Sequence, residues 1–162
     1  MSQILTLRRA REDDQEFFRR LFCTVHLEKL ELVAVTMEER AKLVELMFQG
    51  FTRTYQALAS AADDRIVLLD GQSIGRMILL QSREEIRIAD IAILPEYRQR
   101  GIGSALVGQL QAESVMSNRP VRLQVAHFDR ALRLYQRLGF YKIGASGPCL
   151  HLEWSRRLAG PN

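Results

Sequence analysis

The sequence predicts a mixed α/β domain. Three observations carry that prediction. Segments with apolar residues at helical spacing alternate with short aliphatic and β-branched segments, in the order β-α-α-β-β-β-α-β-α-β-β. Three of the strand segments follow one another through short polar turns, the pattern of an antiparallel meander. The chain has 162 residues and no repeat, low-complexity stretch or linker, so residues 1–162 are read as a single domain.

Composition narrows the function classes. The balance of 47% hydrophobic and 26% charged residues is that of an ordinary globular protein. No apolar run approaches the roughly 20 residues of a membrane helix, and the N-terminal MSQILTLRRARED lacks the apolar core of a signal peptide. A cytoplasmic protein without a membrane partner is expected. The net charge of +4 and pI of about 9.4 admit nucleic acid as a partner. The arginines are scattered rather than clustered, however, so a basic surface that attracts an anionic cofactor is preferred and no nucleic acid is expected. Cys23 and Cys149 are the only cysteines, and neither has a metal-ligand neighbour at useful spacing. Both read as buried, inert thiols, and no metal is expected.

Taken in order, Ile4 to Arg9 alternates weakly and predicts a first strand. Asp13-Asp14-Gln15-Glu16 has capping-box spacing and opens a helix with Phe17, Phe18, Leu21, Phe22 and Val25 on its apolar face. His26 to Val35 reads as a connecting loop. A second capping box, Thr36-Met37-Glu38-Glu39, opens a helix whose apolar face is Leu43, Val44, Met47, Phe51, Tyr55 and Leu58. Residues 65–69 form a strand, Asp70-Gly71 a hairpin turn, and Ser73 to Gln81 the returning strand. After the turn Arg83-Glu84-Glu85, the next strand runs from Ile86 to Leu94 and ends at Pro95, which cannot donate to a ladder. A helix follows with Ala105, Leu106, Val107 and Leu110 on its buried face, then the loop 117–120 and a strand from Val121 to Ala126. Asp129 can cap a helix bearing Ala131, Leu132, Leu134, Tyr135 and Leu138, and Gly139 fits the left-handed position that stops it. Phe140 to Ile143 and Cys149 to Trp154 close the domain, with Trp154 read as core.

One segment carries chemistry. Ile91-Ala92-Ile93-Leu94-Pro95-Glu96-Tyr97-Arg98-Gln99-Arg100-Gly101-Ile102-Gly103-Ser104 runs from a strand through a loop into a helix start. The first N–H groups of a helix have no internal partner and carry the positive end of its dipole, so they bind phosphate. Glycines at 101 and 103 would let a phosphate approach the backbone closely, and Arg98 and Arg100 add charge. The segment has no third glycine at Leu106 for a dinucleotide fingerprint, and no Gly-Lys-Ser/Thr for a P-loop. A bare G-x-G supports a helix-starting turn as well as it supports an anion site.

Arg98-Gln99-Arg100-Gly101-Ile102-Gly103 resembles the R/Q-x-x-G-x-G/A motif of the GCN5-related N-acetyltransferase (GNAT) family. About 30 residues later, Ala131-Leu132-Arg133-Leu134-Tyr135-Gln136-Arg137-Leu138-Gly139-Phe140 is similar to that family's A-x-x-L-Y-x-x-x-G-F. The element order resembles the family fold over essentially the whole chain. That fold implies a twisted, mostly antiparallel sheet of six to seven strands, about four flanking helices, and fourth and fifth strands that splay apart.

The resemblance implies roles. Acetyl-CoA would be the cosubstrate and an amine of a small molecule or peptide the acceptor. Backbone amides of Arg98, Gln99, Arg100, Gly101, Ile102, Gly103 and Ser104 would cradle the pyrophosphate. The main chain at Ile91, Ala92 and Ile93 would lie along the pantetheine arm. Ala131 and Tyr135, four apart on one helix face, would turn toward the cofactor, and Tyr135 would be the general acid for the departing thiolate. Homodimers are common among relatives, so one is admitted here. Two departures stand out. Phe128 occupies a cofactor-contact position where the family often has asparagine, so that contact is missing or supplied by His127 or Asp129. The glutamate base some relatives carry on the fourth strand is absent beyond its start.

The base is therefore unassigned. Asp90 is the nearest acidic residue in sequence to the presumed acetyl site, with a structural hydrogen bond as the competing reading. Glu28 and Glu31, in the loop expected to border the acceptor cleft, could bind a cationic amine or remain solvated. His26, His127 and His151 read as packing or surface residues. Two further functions stay open: an acyl-CoA-binding regulatory module without catalysis, suggested by Phe128, and nucleic-acid binding, suggested only by the pI.

Overall fold

A computed structural model describes residues 3–33 and 35–156; residues 1–2 and 157–162, and Ala34 in the expected loop, lie outside the described residues. The strands are β1 (Leu5–Arg9), β2 (Ala62–Leu69), β3 (Gln72–Gln81), β4 (Ile86–Ile93), β5 (Val121–Ala126), β6 (Tyr141–Ser146) and β7 (Cys149–Trp154). The helices are α1 (Gln15–Lys29), α2 (Met37–Ala57), α3 (Ile102–Ser117) and α4 (Ala131–Arg137). The strands form one seven-stranded sheet in the order β1-β2-β3-β4-β5-β7-β6. Pairing is antiparallel for β1 with β2, β5 with β7 and β6 with β7, and parallel for β4 with β5. The element order is the predicted one, although β2 starts three residues early and β6 runs on to Ser146. Two compact units make up the chain, one comprising residues up to Ile78 with Asp90–Arg98, the other Leu79–Ala89 with residues from Gln99 onward. Among the described residues no helix is long and apolar enough to cross a membrane.

In the first unit, local signals and distant partners compete. The box predicted at Asp13 and Glu16 does not form. Instead Glu12–Asp14 makes a 3₁₀ turn, and the Asp14 carboxylate accepts the Arg11 N–H at 2.7 Å and a two-pronged bond from Arg8 of β1 at 2.7 and 2.8 Å. Charge-assisted, bidentate bonds of this kind are strong ones, and they fix Asp14 where the helix begins. The Arg8 guanidinium, opposed by burial, holds Asp14 below the usual carboxylate range. The second box does form: Thr36 Oγ1 accepts from Glu39 N–H at 3.2 Å, and Glu39 accepts from Thr36 N–H at 2.8 Å. Helix α1 also runs beyond the predicted end at Val25. It reaches Lys29, with the His26 ring stacked 3.8 Å from that of Phe22, so the expected loop loses its first four residues.

Of the apolar face predicted for α2, only Val44 is fully buried, while Leu43, Met47 and Leu58 are exposed. The face that packs is narrower and rotated. Phe51 lies 5.1 Å from Phe22 of α1, and so does Phe48, at 5.3 Å, which the sequence reading left off the face. The Asp70-Gly71 hairpin has φ of 50° and 82°, the left-handed pair of a type I′ turn. The Asp70 carboxylate also accepts the Ile4 N–H at 2.8 Å.

Strand β3 meets β4 closely at Gly75. A Cβ there would stand 2.5 Å from the Ala92 carbonyl oxygen and 2.5 Å from Ile93 Cδ1. Backbone cannot yield to it, so Gly75→Ala is expected to destabilise the chain by about 2 kcal/mol or more. A urea titration checks this, and an unchanged midpoint would show that β4 can shift to accommodate the methyl group.

In the second unit, the parallel β4–β5 ladder pairs only Ile86, Arg87 and Ile88 with Val121, Arg122 and Leu123. Beyond those pairs β4 continues to Ile93 and β5 to Ala126. Arg87 and Arg122 are direct neighbours across that ladder, and like charges so placed repel. Glu85 sits between them, 2.7 Å from each, while Arg122 also bonds Glu153 at 2.7 Å. Burial pushes the Glu85 carboxyl up, but the two arginines more than offset it and hold it low. Helix α3 buries Ile102, Leu106, Val107, Leu110 and Ser114. The Asp129 carboxylate accepts the Ala131 N–H at 2.9 Å at the start of α4, and Gly139 stops α4 with φ of 86°. Cys23, Cys149 and Trp154 are each half-buried rather than buried, because each lies at a margin of the packed layers.

Candidate active site

The predicted site residues fall into both units. In the first, Ala92 packs on Leu21, Val25 and Leu94, and Leu94 N–H donates to Ile74 O at 2.9 Å. Strand alternation places Ile91 and Ile93 on the opposite face from Ala92. Arg98 does not have the role expected of it. Its N–H donates to Pro95 O at 3.1 Å. Its side chain turns back, with Nε donating to Ile93 O at 3.0 Å and Nη1 to Glu28 Oε2 at 2.7 Å. A guanidinium fixed in this way stiffens the end of β4 and is withdrawn from the phosphate role.

The same pair corrects the reading of Glu28. It sits on the last turn of α1 rather than in a loop, and its carboxylate is neutralised by Arg98 rather than held for an acceptor. Glu31 is exposed in the turn beyond α1, where nothing in its surroundings concentrates its charge on a ligand.

Asp90, on β4 immediately before Ile91, is different. Desolvation dominates, and it pushes the carboxyl up to about 6. Arg76 and Lys29 pull the other way, Asp64 adds to the rise, and the Ile91 N–H hydrogen-bonds the carboxylate. A buried carboxyl with its proton affinity raised toward neutrality has the character of a group that transfers protons. Tyr55 of α2 feels this charge. Burial raises its phenol first, and the Asp90 charge raises it further. Arg76 is fixed on its Nε–Nη2 edge by Asp64, at 2.9 and 2.6 Å. Its guanidinium lies 3.8 Å from the Phe18 ring centroid.

The sequence reading missed Asp64, Arg76 and Tyr55 as site residues. Asp64 and Arg76 lie in strands where a charged residue reads as solvent-facing, and Tyr55 was assigned to a packing stripe. Only the pairing of β2 with β3 beneath α2 brings them together, and no local signal announces it.

In the second unit, the turn before α3 has the geometry of an anion cradle. Gln99 and Gly101 have φ of 58° and 75°, and Gly101 is the residue from which α3 starts. The first helical bond back to it comes from Ala105 N–H, at 3.0 Å, so the N–H groups of Ile102, Gly103 and Ser104 precede the helical ladder. A Cβ on Gly101 would meet nothing within 4 Å, which leaves the space before the helix open. Gly103 has a second role: a Cβ there would come within 3.1 Å of Leu134 Cδ2, so it also admits α4 against α3. Gln111 Nε2 reinforces that contact by donating to Leu138 O at 2.8 Å. The amides from Gln99 to Ser104 would fit a pyrophosphate, as expected, while the Arg98 N–H and guanidinium are bonded to Pro95, Ile93 and Glu28. Arg100 is exposed near this turn.

Tyr135 is buried on α4, edge-on to Phe140 with centroids 5.4 Å apart, and Ala131 is half-buried one turn earlier. Phe128, at the position of the family's asparagine, is 84% exposed. The histidines behave as read: His26 Nδ1 lies 2.9 Å from Phe22 O, and His151 Nε2 lies 2.7 Å from Ser146 Oγ.

The left-handed glycine turn that opens α3 and the buried tyrosine on α4 stand where the two sequence motifs fall. The family profile described as acetyltransferase (GNAT) domain matches residues 61–142, just over half of the chain. The chain belongs to the GNAT family and is an acyltransferase. No curated protein sequence matches it. Among solved structures, a PaiA N-acetyltransferase from Thermoplasma acidophilum in complex with coenzyme A is similar, with TM-score 0.66 and 18% identity over 94% of this chain and 99% of that one. The ribosomal-protein-S18-alanine N-acetyltransferase of Escherichia coli is similar at TM-score 0.64 and 18% identity, over 98% of each chain. A spermidine N-acetyltransferase chimera from Vibrio cholerae is similar at 0.64 and 19%, over 94% and 96%. At these identities the likeness is one of fold.

Proposed function

We propose that this chain is an N-acetyltransferase, a single catalytic domain over residues 1–162. It would move acetyl from acetyl-CoA directly to a primary amine of a small molecule or peptide within a ternary complex. The observation that carries the reading is the turn at Gln99–Ser104, whose left-handed Gly101 presents the first amides of α3 to open space. Those amides hold the pyrophosphate, and the main chain at Ile91, Ala92 and Ile93 aligns the pantetheine arm. Bound acetyl-CoA supplies the acyl group. The Asp90 carboxylate takes the proton from the attacking amine, and Tyr135 Oη supplies one to the departing sulfur. The acceptors named for two structural relatives, an alanine of ribosomal protein S18 and spermidine, differ widely. The fold therefore leaves the acceptor to be set by side chains.

A proton acceptor that titrates at about 6 works only when ionised. We expect kcat/KM to fall tenfold per pH unit below about pH 6 and to level off above it. Asp90→Asn removes that acid limb and lowers kcat about 10²–10⁴-fold. A pH–rate profile of both proteins is the check; an unchanged limb in the variant assigns the proton transfer elsewhere. The exposed Phe128 favours one other reading, an acyl-CoA-binding regulatory module, because an amide contact to the cofactor is lost there. Turnover with any amine decides against it.

A further inference from the structure

The first unit contains a pocket of about 220 Å³ to which the proposed chemistry has so far given no occupant. Phe18 and Phe48 wall it, Thr52 and Tyr55 reach into it from α2, and Asp64 and Arg76 lie on its sheet side. Tyr55 links it electrostatically to Asp90. At this volume it suits a small head group rather than the drug-sized ligands of roughly 300–1,000 Å³ pockets.

Its charges specify what that head group is. Arg76 spends Nε and Nη2 on Asp64, and among the described residues Nη1 makes no hydrogen bond. The guanidinium cannot swing to find a partner, because the Phe18 and Phe51 rings hold it, with its central carbon 3.8 and 5.5 Å from their centroids. The side chain keeps 14% of its surface accessible. A preoriented cation with two spare N–H donors is matched by a carboxylate. Beside it stand Asp64, already paired with Arg76, and Asp90, whose charge is felt by both Arg76 and Tyr55, so that Asp90 is the carboxyl group left to favour an ammonium on this side. A polyamine would set a second cation against Arg76, whereas a zwitterion meets both signs at once.

We propose that this pocket receives the acceptor, and that it selects an amino-acid-like zwitterion whose carboxylate binds Arg76 while an ammonium is directed to the Asp64–Asp90 side. The inference rests on the acetyltransferase reading and names the substrate class of that site.

The test compares L-lysine, L-lysinamide and spermidine as acceptors. CoA release is followed at saturating acetyl-CoA and at a pH above the Asp90 limb. The unchanged chain is expected to prefer lysine to its amide by about tenfold to a hundredfold in kcat/KM, the size of a lost charge-assisted hydrogen bond. Arg76→Gln should level that ratio while acetyl-CoA affinity, read by calorimetry, stays within about twofold. Arg76→Lys, which keeps the charge and loses the fork, should restore part of it. Because Arg76 variants also disturb Asp64, Ala59→Trp provides a second route: Ala59 lies in the exposed turn after α2 and lines the pocket. It is expected to raise the KM for lysine about tenfold by filling space. Preference for spermidine, a lysine-to-amide ratio untouched by Arg76→Gln, or an unmoved KM in Ala59→Trp would each overturn the proposal. If none of the three amines releases CoA the proposal also falls, and the acetyl-CoA titration then shows separately whether the cofactor reading stands.

Discussion

Tyr135→Phe is expected to lower kcat about 10²–10³-fold while leaving the Kd for acetyl-CoA within about twofold. In the proposed mechanism the phenol protonates the departing thiolate, so removing it would leave that sulfur to depart without a proton donor. The ring itself would stay in place, because Tyr135 is buried edge-on to Phe140 and phenylalanine fills nearly the same volume. A fall in kcat with unchanged affinity is the signature of a group used in the transition state rather than in ground-state binding. Single-turnover measurement of CoA release, paired with calorimetry of acetyl-CoA, reads both quantities. Turnover equal to that of the unchanged chain would remove Tyr135 from the chemistry, and with it the main argument that this α4 motif is catalytic.

The second large effect is expected at the other end of the cofactor. Gly101→Val should weaken acetyl-CoA binding at least tenfold. Gly101 has φ of 75°, a conformation that costs an L-residue about 1–2 kcal/mol and a β-branched one more. A valine would be driven out of the left-handed region, and the amides of Ile102, Gly103 and Ser104 would no longer converge. About 1.4 kcal/mol is tenfold in affinity, so strain alone accounts for the lower bound. Gly108→Ala supplies the contrast. It lies within α3 at normal helical geometry, and a Cβ there meets nothing within 4 Å. That change should stabilise the helix by about 0.5–1 kcal/mol and leave cofactor binding alone. Equal binding by all three proteins would show that the turn is only a helix start.

The legibility of this chain follows from how local each interaction is. The second capping box formed because Thr36 and Glu39 satisfy each other without help from elsewhere. The first did not form because the helix starts one residue later, behind Asp14, whose carboxylate is held by Arg8 of a different element and by the Arg11 N–H. The α2 stripe was misread for a similar reason. Periodicity shows that a helix has an apolar side, but the rings of α1 decide which residues of that side are covered, and they chose Phe48 and Phe51 over Leu43 and Met47.

The carboxylates divide in the same way. Glu28 looked available because its ion-pair partner stands 70 residues away, and Arg98 looked like a phosphate ligand for the same reason. Asp90 stood out in the sequence only by its position, because desolvation is a property of what surrounds a residue, not of its neighbours in the chain. By itself the amino-acid order determined the element sequence, the left-handed turns at Asp70-Gly71 and Gly101, and the two motifs that mark the cofactor side. Those depend on backbone sterics and spacing along a few residues. The tertiary structure alone decided that Glu28 pairs with Arg98, that Asp90 is desolvated and that Arg76 lines a pocket, because charge pairing and desolvation are settled between elements that the sequence keeps far apart.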